Sequence, residues 1–302
     1  KLNYGHDFTT GRGTSHLPGP NAAPSDVPKT WRTMDEILGY WQKMGVDGFR
    51  CDMAHMVPME FWRWVVKRCR GRESQVFFCA EAYENDPAKL TDGNVLDELL
   101  GAGFNAVYDD PSYDVLEGIY DSGKWANDLD PLTFTGRRFH RSLRYAENHD
   151  EVRIASPKEW GGHGMKVGKP VSAVLFTMGS GPVMLYHGQE VGEPAAGVEG
   201  FGGDDARTSI FDYWSMPEFT KWVNGGKYDG ARLTDERKSL RDWYGKLIRA
   251  TQCRAFTDGE FYGLNHANKD HPAFGRVGDE GASGHWFYAF LRRDTKSGQA
   301  FL

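Results

Sequence analysis

The sequence lacks the features that suit a protein to nucleic acid or to a membrane. Its 36 Lys and Arg residues form no basic run and are outnumbered by 42 Asp and Glu residues, so the net charge is −6. Binding to a nucleic-acid backbone requires clustered Lys and Arg, so we expect no nucleic-acid partner. No stretch approaches about 18 consecutive apolar residues, and the first residues have no apolar leader core. We therefore also expect no membrane partner.

Cysteine is scarce, and its spacing argues against a metal site. The four cysteines are Cys51, Cys69, Cys79 and Cys253. They do not occur in the close pairs that a zinc site requires, and Cys51 and Cys79 lie within predicted strands. We predict that all four are free thiols, buried in the fold.

Aromatic residues, in contrast, are abundant. They make up 14% of the chain, with ten tryptophans. This is more than an ordinary core requires, and it suits a cleft that stacks on the flat faces of a ligand. Sugars and nucleobases both have such faces, and the negative net charge favours sugars.

Short apolar strands alternate with helical patterns along most of the chain. The predicted strands are centred near residues 49, 79, 106, 147 and 184, and the helical patterns between them include one over 132–143. A repeat of about 30 to 40 residues is the unit size of a (β/α)₈ barrel. Five units are present where a closed barrel needs eight. We therefore expect an α/β fold that is part of a TIM barrel, within a longer polypeptide that supplies three further units upstream.

Charged residues end three of the predicted strands. Arg50 and Asp52 end the first of them, and Glu81 follows the next. His149 and Asp150 end another. For the first strand alone, a structural ion pair is an equally good interpretation. Because barrel enzymes place their catalytic groups at the carboxyl ends of strands, the three strand ends together favour catalysis.

Two carboxylates on adjacent strands indicate glycoside hydrolysis, in which one acts as acid and the other as nucleophile or base. Neighbouring strands lie about 4.8 Å apart, so Asp52 and Glu81 can face each other across the gap of about 5 Å that a retaining enzyme uses. The wider gap of an inverting enzyme, about 6.5 to 9.5 Å, stays open as an alternative.

Five segments resemble motifs of the α-amylase family of glycoside hydrolases. Gly-Phe-Arg-Cys-Asp at 48–52, Ala-Glu-Ala-Tyr at 80–83 and Glu-Asn-His-Asp at 147–150 resemble its second, third and fourth conserved regions. The segment 181–190 resembles the motif of its eighth barrel strand, and residues 2–3 resemble the end of a short motif in the domain inserted after the third strand. The order and spacing of these segments agree with the family.

The resemblance implies a division of the chain into three parts. Residues 1–29 would be the end of the inserted domain. Residues 30–256 would form strands 4 to 8 of the (β/α)₈ TIM barrel and carry the catalytic site. Residues 257–302 would begin an all-β C-terminal domain. The N-terminal part of the barrel would then be a further partner, as a missing part of the same polypeptide.

The resemblance also implies a role for each residue at the strand ends. Asp52 would be the nucleophile that forms a covalent glycosyl intermediate, and Glu81 would be the general acid and then the general base. Asp150 would bind the hydroxyls of the reacting sugar and stabilise the transition state. Arg50 would hold Asp52 ionised and oriented, and His149 would bind a sugar hydroxyl.

Two residues beside the carboxylates are further candidates for sugar binding. Members of the family often carry Lys-His where this chain has His55-Met56, so His55 is either a sugar contact or an ordinary loop histidine. Tyr83 lies at a strand end with little core to fill, and we predict that it stacks on a sugar face.

The resemblance implies a retaining hydrolase that cleaves α-1,4-glucosidic bonds in starch, glycogen or maltodextrins. A transglycosylase of the same family, transferring glucan or maltosyl units, is the near alternative. Both use a glycosyl-enzyme intermediate and differ in the acceptor. A non-catalytic sugar-binding relative is a remote alternative, because such a protein would be expected to lack at least one of the three carboxylates.

No cofactor is expected for this chemistry. The family often holds a structural calcium near its inserted domain, but most of the ligands expected there would lie outside this chain. The acidic pairs Asp109-Asp110 and Asp204-Asp205 are interpreted as solvated turns rather than as calcium ligands. We therefore predict no metal site.

Overall fold

The computed structural model describes residues 2–91, 93–196, 205–208, 216–274, 284 and 286–302. The chain divides into two compact units. Unit 1 consists of Lys1–Tyr108 and Arg141–Leu143, and unit 2 consists of Asp109–His140 and Arg144–Leu302. Within the described residues, every helix is too short or too polar to cross a membrane. The predicted domain boundaries after residues 29 and 256 stay predictions.

Helices and strands alternate through unit 1. In chain order its elements are α1 (Lys29–Lys43), β1 (Gly48–Cys51), α2 (Met59–Arg72), β2 (Phe77–Ala80), α3 (Val95–Ala102) and β3 (Ala106–Tyr108). Helix α3 illustrates how local sequence sets the ends. The Asn94 side chain accepts the backbone N–H of Asp97 at its start, and Gly103 ends it with a φ of 117°.

The later elements follow in the same alternation and then change character. They are α4 (Asp110–Asp121), β4 (Ser142–Tyr145), α5 (Gly168–Met178), β5 (Val183–Met184), α6 (Pro217–Val223), α7 (Asp235–Thr251), α8 (Arg254–Thr257), β6 (Glu260–Gly263), α9 (Leu264–Ala267), β7 (Phe290–Arg293) and β8 (Ala300–Phe301). Helix α7 begins after Thr234, whose side chain accepts the backbone N–H of Arg237.

Strands β1 to β5 form a parallel sheet in the order of the chain. Every neighbouring pair is parallel, and helices lie in the connections between the strands. This is the winding of a β/α barrel, so the predicted α/β fold with five βα units is confirmed. Cys51 and Ala80 are register partners on β1 and β2. The residues that follow them, Asp52 and Glu81, therefore leave the sheet side by side.

Strands β6, β7 and β8 form a separate antiparallel sheet in unit 2. Its fully buried Arg292 donates hydrogen bonds to the carbonyl oxygens of Thr177 and Gly179 at the end of α5, at 2.7 and 2.6 Å. A small all-β sheet at this place in the chain fits the predicted C-terminal β domain.

Several tryptophans fill the core rather than a cleft. Trp31, Trp62 and Trp64 are buried in unit 1, and Trp160 is buried in unit 2. Trp62 also fixes the loop after β1, because its indole N–H donates to the carbonyl oxygen of Ala54 at 2.9 Å. These four tryptophans therefore contribute to the core and not to a ligand-stacking cleft.

The predicted helix over 132–143 is also wrong. This stretch contains the end of a 3₁₀ segment (Ala126–Phe134), a second 3₁₀ segment (Arg138–His140) and the start of β4. Gly136, within this stretch, adopts a φ of 61°, outside the helical region. The backbone is therefore not one continuous α-helix, although the apolar spacing alone resembles one.

All four cysteines are free thiols, as predicted. Cys69 and Cys79 are buried, whereas Cys51 and Cys253 are partly exposed. Burial raises the pKa of Cys51 and of Cys79 to about 12, so both thiols stay protonated at neutral pH.

Candidate active site

The ends of β1 and β2 bring the two predicted catalytic carboxylates onto one arginine. Arg50 Nη1 donates to Asp52 Oδ1 at 2.5 Å, and Arg50 Nη2 lies 2.7 Å from Glu81 Oε1. Because a guanidinium presents its N–H groups in a rigid fork, it can orient two carboxylates at once. The sequence had suggested a partner for Arg50 in Asp52, and the structure adds Glu81.

Both oxygens of Glu81 accept hydrogen bonds. In addition to Arg50, Oε1 lies 3.3 Å from the hydroxyl of Tyr83, and Oε2 accepts the backbone N–H of Met53 at 2.7 Å. Met53 adopts a left-handed conformation, with φ of 44° and ψ of 43°, which costs a residue with a side chain roughly 1 kcal/mol. This turn directs the Met53 N–H at the carboxylate.

The two carboxylates differ sharply in exposure. The Asp52 side chain is 73% exposed, whereas that of Glu81 is 3% exposed. Asp52 is therefore accessible to a ligand from solution, and Glu81 is enclosed by its hydrogen-bond donors.

Arg50 is itself held from the side by Tyr108. Its Nε donates to the Tyr108 hydroxyl at 3.3 Å, and Tyr108 is 4% exposed. Burial by itself lowers the pKa of Arg50, but the contacts with Tyr108, Asp52 and Glu81 outweigh it and raise the pKa. The guanidinium is thus a permanent cation between two carboxyl groups. Tyr108 is 58 residues away in sequence, and only its place at the end of β3 could have suggested it.

His55 is buried rather than open to solvent. Its side chain is 0% exposed, its Nε2 lies 2.8 Å from Asp86 Oδ2, and its ring meets that of Tyr83 edge to face at 5.7 Å. In this conformation the imidazole is enclosed by protein. A direct contact between His55 and a sugar stays a prediction, as does stacking of the half-buried Tyr83 on a sugar.

In unit 2, the segment after β4 carries the other predicted site residues. His149 Nε2 lies 3.0 Å from Asp150 Oδ2, and the Asp150 side chain is 42% exposed. The Asn148 side-chain oxygen accepts the backbone N–H groups of Asp150 and Glu151 at 2.8 and 3.0 Å, which fixes the turn. Arg207 donates to the carbonyl oxygen of Asp150 at 3.4 Å. The roles assigned to His149 and Asp150 stay predictions.

A fully buried ion pair lies beside that turn. Arg153 Nη1 donates to Glu147 Oε1 at 2.6 Å, and both side chains are 0% exposed. Glu147 Oε2 accepts the backbone N–H of Ile154 at 2.7 Å. The sequence analysis missed this pair. The signal was a glutamate at the end of an apolar strand with an arginine six residues later.

Two residues of the acidic pairs, Asp109 and Asp205, have arginine partners. Asp109 directly precedes α4 and lies 2.8 Å from Arg144, and Asp110 is 9% exposed, so a solvated turn is the wrong interpretation for both. Asp205 pairs with Arg207 at 2.6 Å, and Asp204 lies outside the described residues.

Three carboxylates in unit 2 lie near enough to one another to bind a metal ion. They belong to Glu117, Asp121 and Glu159. Asp121, however, accepts the backbone N–H groups of Trp160 and Gly161 at 2.7 and 2.6 Å. This contact explains the position of Asp121 as an anchor for the loop, without a metal.

The chain matches no protein-family model, but it has curated relatives. It is 30% identical over 166 residues to α-amylase MalA of Haloarcula japonica, a match that covers 54% of this chain and 22% of that protein. It is 29% identical over 181 residues to α-1,4-glucan:maltose-1-phosphate maltosyltransferase of Pseudomonas aeruginosa, covering 58% of this chain and 24% of that protein. The match thus spans about a quarter of the length of each of these relatives.

The fold is similar to that of a solved hydrolase. The structure of cyclic α-maltosyl-(1→6)-maltose hydrolase from Arthrobacter globiformis, in complex with cyclic α-maltosyl-(1→6)-maltose, matches 93% of this chain and 55% of its own. The TM-score is 0.59 and the identity is 17%. This likeness confirms the predicted fold, in which the five parallel strands correspond to the second half of a TIM barrel.

Proposed function

We propose that this chain, as a member of the α-amylase family of glycoside hydrolases, is part of a retaining hydrolase of α-glucosidic bonds. Its catalytic residues would lie at the carboxyl ends of the barrel strands. The substrates would be α-1,4-linked glucans such as starch, glycogen or maltodextrins. The sequence relatives support a glycosidase or a transglycosylase of this family.

One observation carries the proposal more than any other. A single arginine, Arg50, contacts an exposed carboxylate at 2.5 Å and an enclosed one at 2.7 Å, at the carboxyl ends of adjacent barrel strands. This arrangement suits the roughly 5 Å carboxylate separation of a retaining enzyme. It also supplies two carboxylates with different surroundings, which a nucleophile and an acid require.

In the first half of the reaction, the Asp52 carboxylate attacks the anomeric carbon of the bound glucan. The bond between that carbon and the glycosidic oxygen breaks, and the oxygen takes the proton of Glu81. The products are a shortened glucan with a free hydroxyl and a glycosyl ester on Asp52. Because Glu81 accepts hydrogen bonds on both oxygens in this structure, we expect substrate binding to release one of these contacts before Glu81 donates its proton.

In the second half, Glu81 is a carboxylate and takes a proton from water. The water oxygen attacks the same carbon, and the ester bond to Asp52 breaks. Two inversions give net retention of configuration. Asp150 would bind hydroxyls of the reacting sugar and His149 would bind another, as the family resemblance implies. Tyr83 would stack on a sugar face.

The proposal is tested by the effect of the leaving group. We expect Asp52→Asn to abolish turnover of maltooligosaccharides and of an aryl α-maltoside with an acidic phenol. Glu81→Gln should abolish cleavage of the oligosaccharides but retain much of kcat/KM on the aryl substrate, because an acidic phenol leaves without protonation. Asp26→Asn, at an exposed aspartate outside the site, is the matched control. Equal losses of kcat/KM on both substrates for Glu81→Gln would contradict its assignment as the acid.

Transfer is the second candidate, because one sequence relative is a maltosyltransferase. A transferase would use the same glycosyl ester and pass it to a sugar hydroxyl instead of water. Incubation with maltotriose separates the two activities. Glucose and maltose as the only products indicate hydrolysis, and longer oligosaccharides indicate transfer. Binding of maltotriose without turnover would instead favour a sugar-binding protein.

A further inference from the structure

Asp86 and His55 form a linked pair behind the acidic end of β2. Asp86 Oδ2 lies 2.8 Å from His55 Nε2, and the imidazole is fully buried. The other carboxylate oxygen of Asp86 accepts the backbone N–H of Ala88 at 2.7 Å. The His55 carbonyl oxygen also accepts the backbone N–H of Leu90 at 3.0 Å. The pair therefore ties the loop after β2 to the turn after β1.

The charge of Asp86 determines which ring nitrogen of His55 carries the hydrogen. The hydrogen bonds from Ala88 and from His55 lower the pKa of Asp86, so it is a carboxylate at neutral pH. A carboxylate only accepts, and His55 Nε2 therefore carries the hydrogen of this contact. The ring plane of His55 is thereby fixed from one side.

The fixed imidazole in turn supports Tyr83. The rings of His55 and Tyr83 meet edge to face with their centres 5.7 Å apart. The Tyr83 hydroxyl lies 3.3 Å from Glu81 Oε1, the oxygen that Arg50 also contacts. A continuous series of contacts thus runs from Asp86 through His55 and Tyr83 to Glu81, all within unit 1.

We infer that Asp86 is a positioning residue for Glu81, acting through His55 and Tyr83. The inference rests on the proposed function, in which Glu81 is the acid and base. Asp86 does not touch Glu81, and nothing in the sequence motifs marks it. Its contribution is to keep the Tyr83 hydroxyl on Glu81, where it supplies one of the contacts that hold the carboxyl group in line with the glycosidic oxygen.

The kinetic test compares Asp86→Ala, Tyr83→Phe and the double variant. General acids contribute about 100-fold or more to such reactions, so we expect partial misplacement of Glu81 to lower kcat on maltooligosaccharides about tenfold. The loss of kcat/KM on an aryl α-maltoside with an acidic phenol should stay below about twofold, because this phenol needs no proton in the first half of the reaction. The double variant should lose no more than the larger single loss, because both changes remove the same support.

A merely structural role predicts different results. It would lower kcat/KM for both substrates equally, or make the two losses multiply in the double variant, and either result would overturn the inference. Asp86→Asn is the second variant in case the alanine variant does not fold. Its amide no longer dictates which nitrogen of His55 carries the hydrogen, so we expect a smaller effect in the same direction. Asp26→Asn is the control.

A spectroscopic experiment tests the contact between His55 and Tyr83 without measuring activity. In protein labelled with ¹³C at the tyrosine ring carbon that bears the hydroxyl, Tyr83→Phe identifies the Tyr83 signal. We expect Asp86→Ala to shift this signal and Asp26→Asn to leave it in place. If the unaltered chain turns over glucans and the signal does not move, the inference fails and the function stands. If the signal moves but no glucan is cleaved, the contact series stands and the proposed function fails.

Discussion

Two arginine–glutamate pairs lie at strand ends of this chain, and they differ in what surrounds them. Arg50 and Glu81 in unit 1 are 32% and 3% exposed, and Arg50 also binds the open carboxylate of Asp52. Arg153 and Glu147 in unit 2 are both 0% exposed. The same two side-chain types therefore form an accessible pair in one unit and a sealed pair in the other.

The sealed pair, Arg153 and Glu147, makes contacts that stabilise the fold. Arg153 also donates to Thr208 and to the carbonyl oxygen of His187, at 2.9 and 3.0 Å. These contacts offset the cost of removing two charges from water, and they leave no face for a ligand. Arg50 keeps a partner that solvent can reach. The two pairs thus differ in whether a ligand from solution can reach a carboxylate that the arginine holds.

Breaking the sealed pair should have the largest effect on stability. Arg153→Met leaves Glu147 buried without its cation, and we expect a loss of about 3 to 5 kcal/mol in the free energy of unfolding. Burial raises the pKa of Glu147, and Arg153 opposes this rise. Without Arg153 the pKa of Glu147 rises further, so the loss grows as pH increases toward that higher pKa, because the folded state holds a proton that the unfolded state has released.

Denaturant titrations at pH 5 and pH 8 measure this effect. The double variant Arg153→Met/Glu147→Leu is the matched control, since it removes both charges, and it should recover most of the lost stability. A single variant as stable as the unaltered chain would show that the sealed pair is not needed by the fold.

Changing the accessible pair should affect turnover more than stability. Lysine keeps the charge at position 50 but lacks the fork that binds two carboxylates, so we expect Arg50→Lys to lower kcat/KM about 100-fold, or about 2.7 kcal/mol. The melting temperature should change little. Arg68→Lys is the matched control, because Arg68 forms a comparable surface pair with Asp35 at 2.7 Å. If Arg50→Lys lowered the free energy of unfolding as much as Arg153→Met, the accessible pair would be as structural as the sealed pair, which would contradict the prediction.

Two carboxyl groups in unit 2, those of the buried Asp110 and the half-buried Glu151, have a raised pKa that no cation among the described residues lowers. We expect the smallest effect from changing one of them. Burial, together with neighbouring acids, raises the pKa of Asp110 to about 7, and that of Glu151 likewise. At a pH below the ordinary pKa of an aspartate, Asp110 is protonated in the folded and in the unfolded state, so it does not make the free energy of unfolding depend on pH. Stability then falls as pH rises toward 7, because the folded state holds a proton that the unfolded state has released.

Asp110→Asn should remove part of this dependence. The shift from 3.8 to about 7 corresponds to at most about 4 kcal/mol, and we expect a gain of about 2 kcal/mol at pH 8 with little change at pH 4. Melting temperatures across this range test it, with the exposed Asp242→Asn as control. A gain of equal size at both pH values would rule out the ionisation of Asp110 as its cause.

Local sequence was sufficient for the strand ends but not for their surroundings. The alternation of β1 and β2 placed Arg50, Asp52 and Glu81 at neighbouring strand ends, because register and strand direction follow from short apolar runs. The contact from Tyr108 to Arg50 joins residues far apart in sequence, and the burial of His55 depends on a loop that no motif describes.

The prediction of a helix over 132–143 was wrong for a local reason. The apolar spacing of this segment resembles a helix, but Gly136 takes a positive φ and the chain turns into 3₁₀ segments before β4. Spacing reports which side chains face inward, and it does not report whether the backbone between them is continuous.

The left-handed conformation of Met53 has a consequence for engineering. Glycine would adopt this backbone without the strain that methionine carries there, a gain of roughly 1 kcal/mol, but glycine also loses more conformational entropy on folding, which offsets much of that gain. We expect the N–H of residue 53 to stay on Glu81 in either case. The backbone beside the candidate acid is thus held by the surrounding fold and not by the side chain at position 53.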